Sequence, residues 1–310
     1  MRILILGAGA VGGYFGGRLL EAGRDVTFLV RPGRAAELAR DGLVIKSSYG
    51  DVTLPSPSVV LADGLNGAFD VVILSSKAYD LAGAIDSIAP AVGPETMILP
   101  LLNGMNHLDL LSDRFGRKRV LGGECKIAAT LNEERAVVHL NQAHSISFGE
   151  LDGGLSKRIR ALAAVMTDVG FDAKPSDMIL QEMWEKWVFL ATLAGATCLM
   201  RGSVGDILAA PSGDDIMLAL LEECRAIAEA EGYAPRPAFL AWSRPLLTAP
   251  GSTFTASMLR DLEAGARIEA DHVLGDLLRR RAAADPELSG TSLLQIAYIH
   301  LKTYEGRRAR

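Results

Sequence analysis

The chain has 310 residues, 49% hydrophobic and 22% charged, with a formal net charge of −5. That is the composition of a globular chain of one large or two ordinary domains. The acidic balance argues against a nucleic-acid partner, whose site would be basic, and the longest uncharged apolar run, residues 187–200, falls short of the roughly 20 residues that span a bilayer.

Three scattered cysteines, Cys125, Cys198 and Cys224, form neither a zinc motif nor a disulfide framework, so no metal is expected and a reducing cytoplasm is the expected compartment. Met1 leads directly into a strand pattern, so no signal peptide is expected. Internal repeats and low-complexity segments are not seen.

Residues 2–6 are a short apolar run that suits a strand buried on both faces. Gly7-Ala8-Gly9-Ala10-Val11-Gly12 follows at once, residues 14–22 read as a helix stopped by Gly23, and residues 25–30 form a second strand. This strand–turn–helix–strand unit is the context that gives G-x-G-x-x-G its meaning. Gly7 permits the tight turn, Gly9 lets backbone approach a pyrophosphate, and Gly12 lets helix and strand pack closely. The first helical turn, with Ala10 and Val11, aims its N–H groups and dipole at the phosphates.

The second strand decides which dinucleotide. NAD enzymes place Asp or Glu at its tip to accept from the ribose 2′-OH. Here the tip is Val30-Arg31, with Arg34 behind it. A guanidinium suits the 2′-phosphate of NADP by charge and fork geometry. NADP(H) is therefore expected; the alternative is that both arginines are merely solvated at a helix entrance.

Residues 34–41 read as a short helix and 43–61 as short strands and turns. Residues 69–75 and 96–102 are buried strands, with an amphipathic helix over 79–91 between them. The alternation implies a doubly wound, mainly parallel sheet. Ligands of such sheets bind beyond the strands' carboxyl ends. Gly7, Arg31, Lys77 and Asn103 all fall there. Lys77 could steady phosphates or ribose and Asn103 could bond ribose or substrate, though either alone could be an exposed loop residue. Segments 126–131, 137–140 and 145–148 read as antiparallel strands finishing the same sheet, followed by a helix over 155–169 and a last strand over 171–175.

Strand signal then stops. Helices are expected over 177–200, 214–231, 237–246, 255–264, 268–284 and 291–304. The domains are drawn as 1–175, a Rossmann domain, and 176–310, an all-helical domain, with the cleft between them as the default active site. Lys186 stands in the otherwise apolar stretch Met183 to Leu190. Burying an ammonium is costly. Either it pairs with Glu182 on the same face, or it serves in general acid catalysis, a role open to lysines whose ammonium is partly buried. Further on, Ser257, Asp261 and Glu269 could line a cleft or simply cap and solvate two helices.

Taken together, in this order, these motifs resemble the 2-dehydropantoate 2-reductase (ketopantoate reductase) family over nearly the whole chain. They are the glycine turn, Arg31, Lys77, Asn103-Gly104-Met105, Trp184-Glu185-Lys186, and Ser257-Met258 through Asp261 to Glu269. The resemblance implies an NADP-binding Rossmann domain followed by a helical domain, and NADPH-dependent reduction of a small 2-keto acid, a step of pantothenate biosynthesis. It implies Lys186 as the proton donor to the forming alkoxide and Glu269 as the residue orienting substrate and lysine. Asn103 would be the cleft asparagine, Ser257 a substrate contact with Asp261 beside it, and Arg31 and Lys77 cofactor contacts.

The chain also departs from that pattern. Asparagines usual four and eight residues after the lysine, and three before the serine, are Leu190, Ala194 and Phe254 here. A site without those polar partners discriminates poorly for polar substituents. A paralogue acting on a less polar carbonyl or an imine, oxidation of a 2-hydroxy acid, or a non-catalytic NADP(H) sensor therefore stand as alternatives. Arg201 could replace lost carboxylate contacts or simply be a solvated cation at a helix end. No membrane partner is expected, and a homodimer is allowed for, without a sequence signal that demands it.

Overall fold

The computed structural model describes residues 1–284 and 292–310. Backbone contacts divide the chain into two units: Met1–Leu102 with His107–Leu180, and Asn103–Asn106 with Gln181–Arg310.

The first unit runs β1 (Arg2–Leu6), α1 (Ala10–Glu21), β2 (Asp25–Leu29), α2 (Pro32–Asp41), β3 (Leu43–Lys46), β4 (Val52–Leu54) and β5 (Val59–Val60). It continues through β6 (Val71–Leu74), α3 (Leu81–Ile88), β7 (Met97–Pro100), α4 (Asn106–Phe115), β8 (Leu121–Leu131), β9 (Val137–Glu150), α5 (Lys157–Val165) and β10 (Asp172–Pro175). One sheet has the order β5-β2-β1-β6-β7, every pair parallel. β6 and β7 are buried at every position, which is why they read as unbroken apolar runs. Ile5, Phe28 and Ile73 of this sheet share a core with Tyr14, Phe15 and Leu19 of α1 and with Ile45, Val137 and Phe148 of the second sheet.

That second sheet corrects the expectation that the later strands finish the first. β8 and β9 form one long antiparallel hairpin with an irregularity between Ile127 and Ala129, and β9 joins β3 and β10 in a separate sheet of order β10-β9-β3-β4. An isolated bridge, Ile98 to Val120, links the two sheets. Irregular pairing of this kind interrupts the period-2 pattern, so the sequence shows three fragments where the fold has two strands. α1 begins at Ala10, earlier than expected, because packing overrides the poor helix propensity of Gly12 and Gly13.

The second unit is helical: α6 (Ile179–Met200), α7 (Val204–Ala209), α8 (Gly213–Ala230), α9 (Pro237–Leu247), α10 (Ser257–Glu263), α11 (Asp276–Ala284) and α12 (Leu293–Arg308). Ser203 and Asp206 form a capping box that starts α7. The helix expected over 268–284 opens instead with a π-helix, Asp271–Gly275, before α11. Thr291, expected to begin the last helix, lies outside the described residues. Among the described residues no helix is long and apolar enough to cross a membrane, and no cluster of three or more His, Cys, Asp or Glu could hold a metal ion.

Candidate active site

The glycine turn is built as a cradle. Gly7 adopts φ +91°, a conformation that L side chains rarely take. A Cβ on Gly12 would fall 2.2 Å from both the Gly7 carbonyl oxygen and Ser75 Oγ, so helix and turn meet without room for a methyl group. Ser75 Oγ donates to the Leu6 carbonyl at 2.9 Å, fastening the end of β1 to the residue after β6. Gly9 caps α1 with no side-chain hydrogen bond, and nothing stands within 4 Å of where its Cβ would be. The open space at Gly9 and the uncapped first turn of Ala10, Val11 and Gly12 fit the pyrophosphate of a dinucleotide.

Around this turn, Arg34 Nε donates to the Ala8 carbonyl at 3.0 Å and its guanidinium also pairs with Glu37 at 2.8 Å. Arg34 thus braces the loop. Arg31 is 83% exposed just past β2, and its Nη2 lies 2.9 Å from Asp80 Oδ2. Lys77 is exposed at the start of the short 3-10 turn Ala78–Asp80 that follows β6. Because β2, β1 and β6 are adjacent and parallel, Arg31, Gly7 and Lys77 lie along one edge of the sheet.

Asn103 follows β7 but belongs by its contacts to the helical unit. The His272 ring donates to the Asn103 backbone carbonyl. Gly104, at φ +76°, approaches so closely that a Cβ there would lie 2.8 Å from the His272 carbonyl oxygen. His272 sits in the π-helix, a distortion frequent at functional sites. Burial pushes its imidazole below the ordinary 6.5, while the nearby Glu269 and Asp276 carboxylates pull the other way.

Lys186 is half-buried on α6, between buried Glu185 and buried Trp187. Trp187 Nε1 donates to the Val273 carbonyl at 2.9 Å, and the Val273 amide donates to the Glu269 carbonyl at 3.0 Å. The segment that carries Glu269 is thereby tied to the turn of α6 that carries Lys186. Glu185 serves another purpose: its Oε2 lies 2.6 Å from Arg236 Nη2, and its Oε1 accepts from the Arg236 amide and Nε at 2.8 Å. Burial works to raise the Glu185 carboxyl, but the Arg236 bonds outweigh it and hold the group below its ordinary range.

Ser257, exposed, opens α10, and Asp261 stands one turn further on. Asp261 acts on Cys198 near the carboxyl end of α6, where burial first, and then the Glu263 and Asp261 charges, push the thiol up to about 12. The structure therefore gathers Asn103, Glu269 and the Lys186 turn around the π-helix, and sets Asp261 toward the far end of α6. Ser75, Asp80 and His272 are the residues that sequence reasoning missed as site builders. Each works through a contact distant in sequence, and only His272, beside Glu269-Ala270-Asp271, carried a local hint.

A parallel sheet with a glycine turn at its strand ends, followed by a helical unit with a lysine in an apolar helix, is the Rossmann-type arrangement of this chain. The family model "Ketopantoate reductase PanE/ApbA" matches residues 3–153, and its carboxyl-terminal counterpart matches residues 178–299. The chain belongs to the ketopantoate reductase family. An uncharacterized oxidoreductase, YkpB, of Bacillus subtilis is 38% identical over 99% of this chain and 100% of its own length. The crystal structure of 2-dehydropantoate 2-reductase from Methylococcus capsulatus superposes with a TM-score of 0.87 at 26% identity, covering 100% of this chain and 98% of that one. D-mandelate dehydrogenase, solved with NADH and anilino(oxo)acetate, shares the fold at a TM-score of 0.87 and 21% identity over 100% of both chains.

Proposed function

We propose that the protein reduces a 2-oxo acid, 2-dehydropantoate or a relative of it, to the 2-hydroxy acid with NADPH. The observation that carries this reading is the tie between Trp187 and Val273, which holds the lysine turn of α6 against the segment bearing Glu269. Lys186 and Glu269 are the proposed catalytic pair. The cofactor, held by the glycine turn, would supply the hydride for the carbonyl carbon, and the balanced reaction would consume one NADPH and one proton per 2-hydroxy acid formed. The Lys186 ammonium stabilises the charge that develops on the substrate oxygen and donates the proton; solvent restores it. Glu269 orients lysine and substrate.

Gly7, Gly9, Ala10, Val11 and Gly12 are proposed to hold the pyrophosphate, Lys77 and Asn103 further parts of the cofactor, and Asn103, Ser257 and Asp261 the substrate. NADPH rather than NADH is supported by Arg31, which stands exposed where an NAD enzyme would carry a carboxylate. Three buried cysteines, none of them in a disulfide, accord with a reducing cytoplasm as the working compartment.

The test is steady-state oxidation of NADPH with 2-dehydropantoate and a panel of 2-oxo acids, with the product identified. Turnover of at least one 2-oxo acid to its 2-hydroxy acid supports the proposal. Tight NADPH binding with no oxidation by any of them would favour a non-catalytic sensor instead.

A further inference from the structure

We infer that the substrate carries an aromatic group on its carbonyl carbon, received by a shelf of Phe189, Trp242 and Phe254; this rests on the 2-oxo acid reductase reading above. Phe189 is the third residue after Lys186 on α6, and Phe254 the third before Ser257, so two of the rings flank the proposed proton donor and substrate serine in sequence. The structure brings them together. The Phe189 ring lies 5.2 Å from Trp242 and 6.1 Å from Phe254, centroid to centroid. Phe239 backs Trp242 at 5.8 Å.

Phe189 is buried beneath this group, whereas Trp242 is 53% and Phe254 41% exposed. Rings of this size are normally covered; these two, packed on Phe189 at tilts of 42° and 31°, leave apolar surface open. The face is held in place. The Phe254 carbonyl accepts from the Val204 amide at 3.0 Å, and the Gly205 amide donates to the Ser252 carbonyl at 2.8 Å, so the segment bearing Phe254 is bonded to the start of α7. Along α6, Leu190 is half-buried and Ala194 buried, adding apolar surface one and two turns beyond Lys186. A polyhydroxylated side chain would find no acceptor among these side chains and no donor besides the Trp242 indole N–H, while a phenyl ring could stack on Trp242 or Phe254 in offset or edge-on geometry.

The experiment compares phenylglyoxylate, pyruvate and 2-dehydropantoate as NADPH-consuming substrates, and N-phenyloxamate with oxamate as ligands followed by tryptophan fluorescence, in the native protein and in Phe254→Asn and Trp242→Ala. We expect phenylglyoxylate to exceed pyruvate in kcat/KM by about tenfold or more, N-phenyloxamate to bind more tightly than oxamate, and both variants to shrink these ratios. Turnover with no aryl preference, or a preference that both variants leave intact, overturns the inference and leaves the reductase reading standing. Selective binding of N-phenyloxamate through these residues with no reduction of any 2-oxo acid supports the shelf and overturns the reductase reading. Absence of both binding and turnover overturns the two together. If Trp242→Ala instead converts a dimer to monomers on gel filtration without changing selectivity, the face is an interface between copies and the inference fails.

Discussion

Trp187 Nε1 donates to the Val273 carbonyl at 2.9 Å inside the helical unit, with both residues buried. One partner adjoins Lys186 and the other bonds back to Glu269, so a single indole spans from the helix of the proposed acid to the segment of its orienting carboxylate. Trp187→Phe keeps most of the ring and removes the donor. Loss of one buried hydrogen bond should lower stability by about 1–3 kcal/mol, read as a shift in the urea midpoint with an unchanged slope. It should also lower kcat more than it changes the KM for NADPH. A stability loss with kcat intact would show that the tie only holds the unit together.

Gly9 and Gly12 should respond differently to the same added methyl group. At Gly12 the new Cβ would meet backbone and Ser75 Oγ at 2.2 Å, so Gly12→Ala should destabilise the fold, by about 1–3 kcal/mol as overpacking does. At Gly9 the space is open and φ is −84°, so Gly9→Ala should melt close to the native protein yet bind NADPH poorly. Thermal melts paired with NADPH titrations check both. Native affinity in Gly9→Ala would mean that no phosphate approaches there.

Arg31→Ala should weaken NADPH binding much more than NADH binding. The guanidinium is set in place by Asp80 at 2.9 Å, so Asp80→Asn should erode the same preference to a smaller extent. Calorimetric titration of both cofactors against the three proteins decides this. Equal losses for NADPH and NADH would remove the 2′-phosphate assignment.

Glu185 makes an acid-side prediction. Its folded carboxyl value lies below the ordinary 4.5, burial opposing and the Arg236 bonds prevailing. A group depressed on folding adds stability that is complete above its unfolded value and disappears as pH falls through its folded value. Stability should therefore decline below about pH 4.5. Glu185→Gln, less stable at neutral pH, should show a shallower decline over that range. Denaturant melts across the acid limb measure it, and parallel limbs would mean that the pair does not titrate with folding.

What the sequence disclosed followed from local pattern. The β1–turn–α1 unit, β6 and β7 were legible because a strand buried on both faces leaves an unbroken apolar run, and because G-x-G-x-x-G has few other structural uses in that setting. The lysine of α6 stood out because ammonium groups are rare in apolar helices. α4 was passed over although Leu108, Leu111 and Phe115 recur at helical spacing, α7 is only six residues long, and the β8–β9 hairpin was broken up by its irregular register. The site builders Ser75, Asp80 and His272 were hidden for a different reason: a hydroxyl strapping two strands, an acid steadying Arg31 and an imidazole holding Asn103 are contacts between segments, which no local spacing encodes. Phe254 was legible only as a missing asparagine; that it joins buried Phe189 and exposed Trp242 in one aromatic group required the fold.

The most direct test of the account is the rate of NADPH oxidation by Lys186→Ala on the best 2-oxo acid substrate, at saturating cofactor. General acid groups are worth about 10²–10⁴-fold, and a loss of kcat in that range with NADPH affinity retained is predicted. A change of less than about threefold, well below the range for such groups, would contradict the assignment of Lys186 as the proton donor.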